Sequence, residues 1–187
     1  MSLINVLFLV LVFGAIYFIM IYNKFVSLSA GIDASWSDID IQLKRRYNLI
    51  PALVDTVKGY TKYESDTLEK VIQARQQGMS AKNMTEKREA TTMLSSALGG
   101  FFALAEAYPE LKADRSFMKL QNELSNIEET IQNARRYYNA IVRDNNAKVD
   151  SFPDLIIAQK FDFQKREYFE LDESEATAVK QMPKINL

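Results

Sequence analysis

Four carboxylates and two adjacent arginines are the strongest candidates for chemistry in this sequence: Asp33, Asp38, Asp40 and Glu64, with Arg45 and Arg46. Paired carboxylates can exchange protons in acid–base catalysis or coordinate a hard cation. The other options are few, because the 187 residues include no His and no Cys. The chain therefore offers no imidazole base, no thiol nucleophile, and no nitrogen or sulfur ligand for zinc or iron.

The spacing of these carboxylates argues against both catalysis and metal binding. Asp33 and Asp40 are seven residues apart and share one helix face. Di-iron helical bundles, however, use a Glu-x-x-His repeat, which a chain without histidine cannot supply. We therefore expect no enzymatic activity, no cofactor and no metal site.

A structural role is the preferred interpretation of Arg46 and Glu64. Both interrupt an apolar heptad pattern, where a charge is tolerated when it meets a partner and can fix the register of the helices. We expect the two side chains to be buried and paired within the protein or its oligomer, and Asp40 and Arg135 are candidates for the same network. A partner-binding role stays open, since the same groups would serve at an interface between molecules.

The element that must position these residues is a long helix. Its apolar residues recur at spacings of three and four from Ile32 onward: Ile32, Trp36, Ile39, Leu43, Ile50, Leu53, Val57, Tyr60, Val71 and Ala74. The pattern continues through Pro51 without a change of phase, which predicts one kinked helix rather than a hairpin. Proline often marks a helix boundary, which is the opposing argument. We predict that this helix ends near Gln77, with Gly78 in the left-handed conformation that closes a helix.

A second helix is predicted from a capping arrangement. Asn83 with Glu86 three residues later marks its start, and Pro109 marks its end. Gly99-Gly100 lies inside this helix at a cost in helix propensity, so we expect a neighbouring helix to approach closely there.

A third helix is predicted to open near Asp114 or Ser116 and to reach about Val149, before Phe152-Pro153. Its exposed positions are Glu, Gln, Asn, Lys and Arg, which is typical of a solvated outer face. The aromatic residues that follow lack a sustained period, and we expect them to dock on the helices or on a partner.

The N-terminal stretch Leu3 to Tyr22, LINVLFLVLVFGAIYFIMIY, predicts a membrane span. Its twenty residues contain no charge, and as a helix they would extend roughly 30 Å, the thickness of a hydrocarbon core. A cleaved signal peptide would need a basic start and a clear small-residue cleavage site, which are not seen. The expected organisation is a transmembrane anchor over 1–23, a helical bundle over 24–150, and an aromatic C-terminal tail over 151–187.

The net charge of -1, from 23 basic and 24 acidic residues, gives no overall field that would attract nucleic acid. We therefore expect no nucleic-acid partner. The expected partners are the membrane itself, further copies of the chain, and a membrane-protein client as a further possibility.

The stretch from Ser35 to Glu64, SWSDIDIQLKRRYNLIPALVDTVKGYTKYE, resembles the signature of the LemA family. Other landmarks follow in family order: Tyr22-Asn23, Ala107-Tyr108-Pro109 with Leu111-Lys112, Ala134-Arg135 with Tyr138-Asn139, Phe152-Pro153 and Tyr168-Phe169-Glu170. The resemblance covers nearly the whole chain. There are two departures, because Ala52 replaces a usual Asn and Tyr63 replaces a usual His. Any site that these positions serve in other members is altered here.

The resemblance implies an all-α fold, in which a single N-terminal transmembrane helix leads into an antiparallel bundle of three to four long helices. It implies a single-pass protein of the bacterial cell membrane and no assigned catalytic residues. One related branch takes part in forming intracellular membrane compartments. The side of the membrane stays open: Lys24 weakly favours a cytoplasmic domain. Members with a lipoprotein cysteine before the Tyr-Asn pair imply the opposite side.

Two classes of function fit these observations. The preferred one is a non-enzymatic, membrane-anchored helical scaffold that self-associates and organises or remodels membrane or membrane complexes. The alternative is a membrane-tethered sensing or adaptor module that binds a small ligand or a client protein.

Self-association is expected from helix lengths. A helix over 24–77 would extend roughly 80 Å, whereas the second and third would extend about 35 and 50 Å. The shorter helices would leave apolar residues near the membrane uncovered, and such stripes mark interfaces. We expect contacts between copies along residues 28–43. The structural or interface candidates are Trp36, Ile39, Asp40, Arg46, Glu64, Arg135, Tyr138 and Asn139.

Overall fold

The computed structural model describes residues 3–60 and 65–169. Over these residues it contains helices and no strand, which confirms the all-α class. The helices are α1 Leu3–Lys58, α2 Ser65–Ser80, α3 Met84–Glu106, α4 Pro109–Lys112, α5 Arg115–Asp150 and α6 Asp154–Phe161.

Helix α1 continues through Pro51, as predicted, but ends at Lys58 instead of near Gln77. Gly59 and Tyr60 form a turn. Helix α2 then lies antiparallel to α1, since Arg75, near its end, bonds to Tyr47 of α1. The predicted length of the first helix is therefore wrong. The apolar pattern persists across the turn because α2 also needs one apolar face toward the bundle, and this requirement does not depend on helix continuity.

The contact of Arg75 with Tyr47 explains how α1 accommodates its internal proline. In an α-helix the carbonyl oxygen of residue 47 accepts a bond from the N–H of residue 51, and Pro51 has no N–H. Arg75 Nε donates to this oxygen at 2.8 Å. A side chain of α2 therefore supplies the bond that the proline removes.

The predictions for Gly78 and for Gly99-Gly100 are both wrong. Gly78 lies inside α2, where a Cβ would be 2.5 Å from the Tyr47 ring, so it permits close helix packing and does not close a helix. A Cβ on Gly99 or Gly100 would meet none of the described residues within 4 Å. The close approach expected in α3 occurs in α2 instead, since burial of a large Tyr47 ring leaves no room for a side chain opposite.

The helix starts agree with the capping predictions. Asn83 Oδ1 accepts a bond from the Glu86 N–H at 2.8 Å, and the Glu86 carboxylate accepts from the Asn83 side chain and the Lys82 N–H. Asp114 Oδ1 accepts bonds from the N–H groups at the start of α5, which orients its first turn. Both caps satisfy amides that helix geometry leaves without internal partners.

The chain divides into two compact units, each built from discontinuous segments. The first contains the described residues of Met1–Ile39 and Ala134–Tyr168, and the second those of Asp40–Asn133 and Phe169–Leu187. In the second unit, α2 and α5 are antiparallel to α1, and α3 is parallel to it. Its core is formed by large buried residues, which include Leu43, Ile50, Leu53, Val57, Val71, Leu94, Phe101, Leu111 and Ile131.

In the first unit, α1 packs against the second half of α5, and α6 folds back onto α1. A cluster of Ile21, Phe25, Ile157 and Ala158 is buried where α6 meets α1, with Val149 and Phe163 packed against it. Among the described residues, α1 is the helix long and apolar enough to cross a membrane. Its side chains from Leu3 to Met20 are exposed.

Candidate functional site

A cleft of about 380 Å³ lies in the second unit, between the middle of α1 and the α2–α3 connection. Its walls are formed by Asp40, Leu43, Lys44, Tyr47, Asn48, Gly78, Met79, Ala81 and Lys87. Asp40 is ion-paired with Lys44 at 2.8 Å and with Lys87. Burial raises the pKa of the Asp40 carboxyl, but hydrogen bonds from the two lysines outweigh it and hold that pKa below its ordinary value. The cleft therefore carries two cations against one carboxylate.

The four predicted carboxylates do not share one environment. Asp40 lines the cleft, Asp38 is exposed, and Asp33 forms a solvent-exposed ion pair with Arg166 at 3.7 Å. Glu64 lies outside the described residues. No group of three or more metal-ligating side chains is found in the part of the chain that the structure describes.

Arg46 is buried, as predicted, and its partners come from α3 and α5. Its Nη2 atom lies 3.0 Å from Glu128 Oε2 and donates to Ser95 Oγ at 3.0 Å. Its Nε and Nη1 atoms have no hydrogen-bond partner among the described residues. The expected pairing with Glu64 lies outside the described residues, and Asp40 pairs with lysines.

Glu128, the partner of Arg46, was not predicted from the sequence, although a signal was present. It directly follows Ile127, one of the apolar residues that recur at spacings of three and four along α5, with Leu120, Leu124 and Ile131. Charged residues that flank such positions commonly pair across helices. Ser95 carried no comparable signal, because serine occurs on many helix surfaces.

Trp36 and Ile39 are covered within the chain. Ile39 and Ile32 are 0% and 2% exposed, and the Trp36 ring lies 5.9 Å from that of Tyr138 on α5. The expectation that the apolar residues of α1 near the membrane stay uncovered is therefore wrong for Ile32 and Ile39. Its physical basis fails because α1 ends early, while the 36-residue α5 reaches these residues.

Tyr138 and two asparagines of α5 hold the segment that follows α6. The Tyr138 hydroxyl donates to the Glu167 carbonyl oxygen at 3.0 Å, and burial raises the pKa of this phenol. Asn145, which is buried, donates to the Gln164 carbonyl oxygen at 3.1 Å. Asn146 both donates to and accepts from the Arg166 backbone. We name residues 163–168 the strap, because side chains of α5 hold the backbone of this segment along the helix.

The family landmark Tyr138-Asn139 includes one residue that binds the strap. Tyr138 bonds to the strap, and Asn139 is half-buried beside it in sequence. Arg135, one turn earlier, is 3% exposed. The roles of Asn145 and Asn146 were not predicted, because an asparagine within a helix is expected on the surface until the segment that it binds is known.

The model of the LemA family matches residues 35–186. Protein LemA of Metamycoplasma hominis is 29% identical over 177 residues, which cover 93% of this chain and 81% of that protein.

Two magnetosome proteins are also similar. Magnetosome protein MamQ of Magnetospirillum gryphiswaldense is 25% identical over 177 residues. Magnetosome protein MamQ 2 of Paramagnetospirillum magneticum is 23% identical over 178 residues. Each alignment covers 81% of this chain and 65% of the relative, so the chain spans just under two thirds of the length of these magnetosome proteins.

Proposed function

The chain belongs to the LemA family, and from this premise we propose that it is a membrane-anchored, non-enzymatic scaffold that self-associates and organises membrane or membrane complexes. We place it as a single-pass protein of the bacterial cell membrane, since its relatives are bacterial and α1 is long and apolar enough to span. The magnetosome relatives support a role at membranes, which fits the compartment-forming branch implied by the resemblance.

The observation that carries this proposal is the continuity of α1. The helix extends from Leu3 without interruption into the buried core of the first unit, where Ile21, Phe25, Leu28 and Ile32 are at most 9% exposed. When one continuous helix forms both the span and part of the packed core, the packing of the soluble part fixes the tilt of the span. Contacts between soluble parts would therefore be transmitted to the bilayer.

Self-association needs only weak contacts in this arrangement. Copies that share a membrane meet at a high effective concentration. The second unit also exposes large apolar side chains to 40–57%: Ile41, Ile72, Met79, Met93 and Met118. Exposed apolar groups of this kind supply contact area between copies. Ile39, which was expected at such a contact, is instead buried inside the chain.

An insertion experiment tests the role of α1. A seven-residue Gly-Ser segment after Lys24 would uncouple the span from the packed part of the first unit, whereas an Ala-rich segment of equal length, about two turns, would keep one helix. Both insertions lie between Ile21 and Phe25 of the α6 cluster, so both interrupt the same contact. Electron microscopy of the full-length protein in liposomes should show ordered assemblies or altered membrane shape with the wild type and the Ala-rich variant, and neither with the Gly-Ser variant. Equal behaviour of all three would contradict the proposal.

The cleft supports the alternative function, a ligand-binding adaptor. Its excess of one positive charge would favour a small anion, and Lys44 and Lys87 are the donors available to it. Calorimetric titration of the full-length protein with phosphate and with short dicarboxylates tests this function, with Lys44→Gln as the matched variant. Binding that weakens in the variant would favour the adaptor; an absence of heat with every probe would remove its support.

A further inference from the structure

Three large apolar side chains are exposed around α6, although this helix packs directly on the membrane helix. Phe152, just before α6, is 79% exposed, Ile156 is 54% exposed and Phe161 is 43% exposed. Single exposed apolar residues are common on protein surfaces. A group of them beside a membrane helix indicates a surface that contacts another molecule.

Contacts with α1 fix the level of α6 relative to the span. The Phe161 ring lies 5.8 Å from Phe18 and 5.0 Å from Tyr22, and both of those residues belong to the apolar stretch that ends at Tyr22. Phe18 precedes Tyr22 by one helical turn, about 6 Å. The end of α6 is therefore level with the last turn of the span, where hydrocarbon meets headgroups.

Most charges near α6 are compatible with this level, although Asp162, directly after Phe161, is exposed. Asp154, at its start, is ion-paired with Lys148 at 2.9 Å, and both side chains are largely buried. The pair neutralises the acid that anionic lipid would otherwise repel. Lys24 and Lys160 are exposed at the same end of the first unit and can reach headgroups with their amines.

We propose that α6 and Phe152 form a second membrane contact, in which Phe152, Ile156 and Phe161 insert into the lipid interface beside the span. The occupant of this surface is lipid, because the surface is continuous with the transmembrane helix through Phe161. Interfacial helices bind in this way, with apolar residues at the headgroup boundary and basic residues around them. The contact requires the span but does not depend on self-association.

Depth-dependent fluorescence quenching tests the contact in the full-length protein. The sequence has one tryptophan, so Trp36→Phe gives a background for single probes at Phe152→Trp and Ile156→Trp. Tyr137→Trp is the matched control, since Tyr137 is 62% exposed on α5. It precedes Val149, which packs at the α6 cluster, by twelve residues, or about 18 Å of helix.

In lipid discs that contain acyl-chain-brominated lipid, the Phe152 and Ile156 probes should each lose emission intensity relative to plain lipid, and the Tyr137 probe should not. The quenched probes should also emit at shorter wavelength. The proposal is overturned if either of these two probes is not quenched, or if the Tyr137 probe is quenched equally. A shift to shorter wavelength without quenching would mean that protein covers the surface, which also overturns it.

Discussion

Replacing Arg75 by Met tests how α1 retains its helical structure across Pro51. Arg75 Nε donates to the Tyr47 carbonyl oxygen at 2.8 Å, the bond that Pro51 cannot make. Methionine retains much of the apolar stem but removes the donor. The carbonyl would then be left without this bond at a partly buried position.

The expected cost of Arg75→Met is about 1–3 kcal/mol, the range for a buried acceptor that loses its partner. For a protein of this size each 1 kcal/mol lowers the Tm by roughly 2–4 °C, so we expect a decrease of about 2–12 °C. Thermal unfolding of the full-length protein in mild detergent, followed by far-UV circular dichroism, measures this decrease. Lys70→Met is the control for loss of a positive charge, because Lys70 is exposed on the same helix.

A double substitution separates this bond from the other contacts of Arg75. Pro51→Ala restores an N–H that can donate to Tyr47 within α1, so the oxygen no longer depends on Arg75. In this background Arg75→Met should cost less than about 0.5 kcal/mol, as for an ordinary surface change. An equal cost in the wild-type and Pro51→Ala backgrounds would refute the reasoning, because coupled residues must show an interaction energy.

Three other predictions follow from single contacts. Gly78→Ala should destabilise by about 1–3 kcal/mol relative to Gly100→Ala, because only its Cβ meets the buried Tyr47 ring; equal melting temperatures would contradict this. The pKa of the Asp40 carboxyl is held below its ordinary value, so its ion pairs contribute stability above the ordinary pKa of an aspartate, and this stability is lost as the pH falls through the lowered pKa. Asp40→Asn should therefore flatten the acid limb of a stability–pH curve, and an unchanged limb would count against the ion pairs. Asn146→Ala removes both bonds to Arg166 and should speed tryptic cleavage after Lys165 and Arg166, whereas Asn126→Ala on the same helix should not; equal cleavage rates would show that the strap is held otherwise.

The helix starts and ends could be predicted where one side chain determines them. Asn83 and Asp114 bond to backbone amides within three residues, so their effect is local and visible in sequence. The end of α1 could not be predicted, because a heptad pattern reports which face is buried and not whether two segments form one helix. The error at Lys58 then produced the wrong expectation for Ile32 and Ile39, whose cover depends on helix lengths.

The candidate site was predictable only in part. Burial of Arg46 followed from its heptad position, but its partner depends on how α5 is aligned with α1, which no local pattern encodes. The bond from Arg75 to Tyr47 and the asparagine bonds to the strap also join residues that are distant in sequence. Such contacts become visible only when the fold brings the elements together.

The number of copies in the assembly tests the proposed scaffold most directly. The full-length wild-type protein should be purified in mild detergent and in lipid discs, and its mass measured by light scattering at micromolar concentration. Self-association predicts a mass of more than one copy in both environments, with ordered particles on imaging. A protein that stays monomeric in both would contradict self-association and the scaffold function proposed from it.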